Sequence, residues 1–227
     1  MSHSYDWGEF YRAMARAILP YRDKRAELFL MIKKAAAATP LMHYLHFEHA
    51  EFWNARNDQI DPFTVMGIFN RAATPEHRTM LAKELAGLFG VKIEPPAGFH
   101  GIAYLDPRNS IFGGNEEMWN LYGPAVAGKR DSGFQDAFSA AIGVKGNALG
   151  ILSIGLFWMN PENYMPLDSI SVPYIQEKYG LEPLADKCSG SKYAAFLNSL
   201  DAKLERDLLR YPKLAYAAWS AKNGGEE

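Results

Sequence analysis

Trp158, Tyr164 and Asp168 fall close together in the run Gly155-Leu156-Phe157-Trp158-Met159-Asn160-Pro161-Glu162-Asn163-Tyr164-Met165-Pro166-Leu167-Asp168-Ser169. Aromatic rings at a break in the chain can stack on a nucleobase or hold a flipped nucleotide, with polar neighbours beside them. Trp119 and Tyr104 also sit near breaks. Aromatic residues make up 13% of the chain, so most of them must serve the core. For each ring, burial is the simpler reading.

Other chemistry-bearing residues are less organised. His43, His46 and His49 lie three apart, with Glu48 and Glu51 nearby. On a helix that spacing winds around one flank, where a zinc site wants i, i+4 pairing or ligands from elsewhere. No metal site is expected, and no cofactor. Gly113-Gly114 and the glycines over 143–150 match neither phosphate-binding pattern, GxxxxGK[ST] or GxGxxG. Cys188 is the only cysteine and has no activating motif around it. Glu116-Glu117 read as helix-start charge rather than an acid–base pair. With no catalytic constellation and no Walker motif, the chain is not expected to be an enzyme. Arg22, Lys24, Arg25, Lys33 and Lys34 form a basic segment. It is most simply a solvated face; Arg22, Lys24 and Arg25 are the candidates for phosphate contact.

The elements that would position these residues are mostly helical. Trp7, Phe10, Tyr11, Met14 and Ile18 have helical spacing, closed by Pro20. Leu28, Met31, Ile32 and Ala35 form a second stripe, and residues 43–56 a third candidate helix. Asp61-Pro62 and Thr74-Pro75-Glu76 are helix starts: a capping side chain followed by proline at the first position. Gly90 suits the end of the second of these helices. A helical hairpin is favoured there over a DNA-binding helix-turn-helix, because Arg78 and Lys83 make a thin basic face.

Residues 91–96, 102–105 and 111–112 are candidates for short strands. Helices are expected over 116–122, with Gly123-Pro124 as a break, and over 132–142. The apolar stretch 151–159 is a buried strand or short core helix, stopped by Asn160-Pro161. A short helix over 173–179 is capped by Gly180. A long one over 191–210 carries Tyr193, Phe196, Leu197, Leu200, Leu204 and Leu208. The fold class is therefore mainly α with a few short strands (α+β is the alternative), a single compact helical domain over 1–221 with a disordered tail over 222–227.

At 227 residues the chain can bury a substantial core. Its net charge of -2 argues against a strongly basic nucleic-acid binder but leaves room for a local basic patch. One cysteine permits no intrachain disulfide, no apolar run reaches bilayer-spanning length, and the N-terminus has no signal-peptide pattern. A cytoplasmic location without membrane contact is expected.

Several segments together resemble the region N-terminal to the AAA+ motor of McrB-like proteins, the GTP-dependent subunits of modification-dependent restriction systems. They are Asp61-Pro62-Phe63-Thr64 through Gly67 with Phe69-Asn70, then Phe99-His100-Gly101-Ile102, and Trp119-Asn120-Leu121-Tyr122. The run from Gly155 to Ser169 and the stretch Tyr211-Pro212-Lys213-Leu214-Ala215-Tyr216-Ala217-Ala218-Trp219 complete the set. The pairing of Gly-Leu-Phe-Trp-x-Asn-Pro with Leu-Asp-Ser is the most specific. The sequence departs from the pattern at Ile170-Ser171-Val172-Pro173, where an Asn- and Arg-rich stretch is expected, and at Ala103 and Asp106. The resemblance implies a DNA-recognition or specificity module of a restriction or antiviral-defence system, working on DNA, modified or plain. Its AAA+ motor would act in cis or in trans. The competing expectation is a protein-interaction adaptor that links a motor to a nuclease subunit or senses a phage protein.

Overall fold

The computed structural model describes residues 7–38, 60–67, 75–95 and 115–224. Its helices are α1 (Trp7–Ile18), α2 (Arg25–Ala38), α3 (Pro62–Gly67), α4 (Pro75–Phe89), α5 (Asn115–Val126), α6 (Ser132–Gly143), α7 (Leu149–Met159), α8 (Ser171–Tyr179), α9 (Gly190–Asp201) and α10 (Arg210–Asn223). The fold is mainly α, and no strand forms among the described residues. Residues 91–95 have no regular structure. They follow a Schellman-type end to α4, in which Gly90 takes φ 66° and the Val91 amide donates to the Ala86 carbonyl at 2.9 Å. The candidate strands over 102–105 and 111–112, the candidate helix over 43–56 with His43, His46 and His49, Tyr104, and the turn over 70–74 lie outside the described residues.

Local sequence signals explain most boundaries. Asp61 caps α3: its carboxylate accepts from the Thr64 amide at 2.8 Å and the Thr64 hydroxyl at 2.6 Å. Asp131 caps α6 through the Phe134 amide at 3.1 Å. Gly180 closes α8 at φ 65°. Helix α5 runs through the expected break at Gly123-Pro124 and ends at Val126. Pro124 withholds the donor for the Asn120 carbonyl, but Asn120 is exposed and water can serve it. The apolar run around Trp158 is a helix, α7, and Asn160 ends it, its backbone N–H donating to the Leu156 carbonyl at 3.0 Å.

Two further boundaries differ from expectation. The helix read over 191–210 stops at Asp201, and a separate helix starts at Arg210. Asp201 accepts hydrogen bonds from Arg130, Arg210 and Tyr211, so the chain must turn to bring the last two back. Leu204 still packs partly on the core, whereas Leu208 is 65% exposed. At the other end, α10 continues to Asn223, so its last turn includes part of the expected tail.

Helix α7 is buried at nearly every position and is packed by α1, α3 and α5. Helix α6 lies against α5 and α9, α2 against α4, and α8 against α10. Edge-on rings join these layers: Trp7 to Phe157 at 5.8 Å and Phe63 to Tyr122 at 5.8 Å. No helix of the described residues is long and apolar enough to cross a membrane.

Candidate functional site

The motif that dominates the sequence belongs to the core. Trp158 and Tyr164 are fully buried, so neither ring offers a face to a base. Tyr164 stacks on Phe134 at 5.3 Å and donates its hydroxyl to the Lys129 carbonyl at 2.6 Å. Burial pushes its phenol well above the ordinary tyrosine range. Asp168, half-buried, caps α8: one carboxylate oxygen accepts from the Ile170 amide at 3.0 Å and the Ser171 amide at 2.7 Å. Asn160 donates to the Val126 carbonyl at 3.3 Å, and Asn163 to the Asn160 side chain at 2.9 Å. Glu162 pairs with Arg12. The polar residues of the run therefore fasten a loop to the helices around it. Trp119 is also buried, its indole donating to the Ile60 carbonyl at 3.0 Å.

The basic segment splits in two. Arg25 is committed within the fold: it pairs with Glu116 at 2.7 Å and lies 5.7 Å from the Trp119 ring centre. The hydrogen bond from Arg25 holds the Glu116 carboxyl below its usual range. Arg22 donates to the Asn120 side chain and remains exposed, and so does Lys24. Arg22, Lys24 and Arg25 therefore do not form one available phosphate-binding group, because α5 already holds Arg25. Cys188 is buried, and burial pushes its thiol up, away from the thiolate a nucleophile needs.

A polar hub that sequence reasoning did not single out organises the C-terminal third. Arg130, in the α5–α6 loop, donates to Asp201 at 2.6 Å, to the Asn198 side chain at 3.1 Å, to the Tyr211 hydroxyl at 2.9 Å and to the Asn163 carbonyl at 3.1 Å. Asp201 also accepts from Arg210 at 2.9 Å and the Tyr211 hydroxyl at 2.6 Å. Burial alone would raise the Asp201 carboxyl; the bonds from Tyr211 and Arg130, with the Arg130 charge, outweigh it and hold the group below its usual range. The hub pins the start of α10 to α9 and to the loop after α7.

Beyond the hub, α10 carries exposed basic and aromatic side chains. Lys213, Tyr216, Trp219 and Lys222 recur every third residue, and the helix contains no acidic side chain. Trp219 is 50% exposed and stacks with Tyr216, ring centres 6.0 Å apart at 29°. Lys213 pairs with Asp207. Lys203, Arg206 and Lys222 are exposed and form no ion pair among the described residues. An open cavity of about 630 Å³ lies between α9 and α10, lined by Leu204 and Leu208 with three acids (Asp201, Glu205, Asp207) and two arginines (Arg206, Arg210). The sequence signal was the absence of acids together with the three-residue recurrence. It is weak because the same spacing also suits a buried stripe.

A family model described as a domain of unknown function, DUF8425, matches residues 7–221. The chain belongs to the DUF8425 family. The matched span takes in α1 to α9 and nearly all of α10. No curated protein matches the chain, and no solved structure does.

The hub of this DUF8425 domain makes its stability sensitive to acid. Asp201 has a lowered carboxyl in the folded state. Its contribution is present above the unfolded value, about pH 4, and is lost as pH falls through the lower folded value. Asp201→Asn is expected to cost about 2 kcal/mol at pH 7, between the values for exposed and fully buried pairs. Urea titrations of both proteins check this. The gap should begin to narrow as pH falls below about 4 and close once pH has passed the lower folded value, where the native carboxylate is also protonated.

Proposed function

We propose that this domain recognises DNA, modified or plain, as the specificity module of a McrB-like restriction or phage-defence system. The AAA+ motor would act in cis or in trans, and the domain itself would hydrolyse no nucleotide. The observation that carries the reading is the outer face of α10. A stacked Tyr216–Trp219 pair stands on a helix without acids, with Lys222, which forms no ion pair among the described residues, close to one turn beyond Trp219, in a chain whose net charge is -2. Aromatic rings beside cations suit bases and phosphates together. The resemblance of the 211–219 and 155–169 segments to McrB-like proteins supports it independently of charge. The candidate contacts accordingly move from Trp158, Tyr164 and Asp168 to Tyr216, Trp219, Lys203, Arg206 and Lys222.

Salt titration of DNA affinity tests the reading. With about three phosphates neutralised, log affinity should fall against log salt with a slope near roughly -3 for duplex, slightly shallower for a single strand. Charge reversal at Lys203, Arg206 and Lys222 should flatten the slope, whereas reversal at Lys33 and Lys34 should leave it. Absence of binding to any DNA at low salt rejects the proposal. The adaptor reading would then stand on Leu208, a large apolar side chain exposed at the rim of the α9–α10 cavity.

A further inference from the structure

The rings on α10 also bear on which form of DNA is bound. Resting on the DNA-recognition reading, we infer that Tyr216 and Trp219 form a platform for unpaired bases, and that the α10 face takes single-stranded DNA in preference to duplex. In an intact duplex each base face is covered by its neighbours in the stack. A ring carried on the outside of a helix can then meet only base edges, sugars and phosphates. An unpaired strand offers its faces, and base–aromatic stacking is tolerant of sequence. Tyr216 already stacks with Trp219, so a base laid on the open part of Trp219 extends an existing column.

One charge fits a strand laid on the rings: Lys222 lies three residues beyond Trp219, about 4.5 Å along the axis, within reach of a phosphate flanking a base stacked on the indole. Lys213, nine residues from Lys222, is on the opposite side of the helix. Lys222 has no ion pair among the described residues, while Lys213 is shared with Asp207. Lys203 and Arg206 are exposed in the turn before α10, where Glu205 and Asp207 balance their charge. The Asp201–Arg130–Tyr211 hub holds the base of α10 in place, so the platform is set before a ligand arrives. A protein ligand is less well matched: the apolar surface here is one indole and Leu208, divided by charged residues.

The experiment compares a labelled 15-nucleotide thymidine strand with a mixed-sequence duplex of equal length, by fluorescence anisotropy at the same low salt. The intact chain is expected to bind the single strand at least tenfold more tightly. Trp219→Ala should weaken single-strand binding about 5- to 150-fold, the equivalent of about 1–3 kcal/mol per stacked base. Leu30→Ala, at an exposed apolar side chain on α2, should change nothing. Trp219 is the one exposed tryptophan among the described residues, so its emission should be quenched by the strand and the quenching lost in Trp219→Ala. Circular dichroism and melting show that the variant keeps its fold. Duplex binding as tight as single-strand binding, or a silent Trp219→Ala, overturns the inference and leaves DNA recognition standing. Binding to neither form overturns both and leaves the face to a protein.

Discussion

Gly190→Ala is expected to destabilise the domain by more than about 3 kcal/mol, above the ordinary range for overpacking. Gly190 opens α9 where that helix presses on α6. A Cβ there would lie 2.0 Å from the Gln135 carbonyl oxygen and 2.6 Å from its carbon. Both are backbone atoms of α6, so no side-chain rotation relieves the clash. The contact is also bonded: the Gly190 amide donates to the Ser139 hydroxyl at 2.9 Å, and that hydroxyl donates to the Gln135 carbonyl at 2.8 Å. Separating the helices would break this relay and open the Phe138–Tyr193 stack, whose centres are 4.6 Å apart at 6°. Gly87→Ala provides the contrast. Gly87 is exposed in α4, and nothing lies within 4 Å of its added Cβ. Alanine there should stabilise by about 0.5–1 kcal/mol. Urea unfolding of the two variants beside the parent checks both signs. A Gly190→Ala protein as stable as the parent would mean the α6–α9 contact is looser than these distances.

What could be read in advance follows from how far each determinant reaches along the chain. Asp61-Pro62, Gly90 and Gly180 were legible because a cap is settled within a few residues: a side chain or a left-handed glycine meets amides or carbonyls of the same turn. The Trp7–Ile18 stripe was legible for a similar reason, since amphipathic spacing needs no partner to be recognised. The division of residues 191–210 was not. Its cause is a carboxylate whose guanidinium partner lies 71 positions away, and no local pattern announces that Asp201 belongs to Arg130. Ring placement was legible in part: burial, the simpler reading for each ring, holds for Trp158, Tyr164 and Trp119, while no local pattern marked Trp219 as exposed. Trp158 and Trp219 both stand beside apolar neighbours in sequence, yet one is enclosed by α3 and the other half exposed. Proximity to a chain break was the signal used for Trp158 and Tyr164. In this fold such a break is where polar side chains fasten the core, through Asn160, Asn163 and Asp168.

Trp158→Ala is expected to lower stability by about 3–5 kcal/mol, the range for truncating a buried aromatic side chain. The indole packs closely against α3: a Cβ built on Gly67 would come within 3.1 Å of its six-membered ring. Every residue of α3 is buried, so the six-residue helix has little freedom to collapse into the space left behind. Neighbouring Phe157 is held by Trp7, which limits relaxation from the α1 side. For a chain of this length such a loss corresponds to a melting temperature lower by about 6 to 20 °C. The urea midpoint should fall with little change in slope. The same variant separates the two roles a tryptophan at this position could have. If Trp158 is a core residue, the variant that remains folded at low temperature should bind DNA as the parent does. A stability loss under about 1 kcal/mol, together with weakened binding, would return the indole to the recognition surface and contradict its enclosure between α7 and α3.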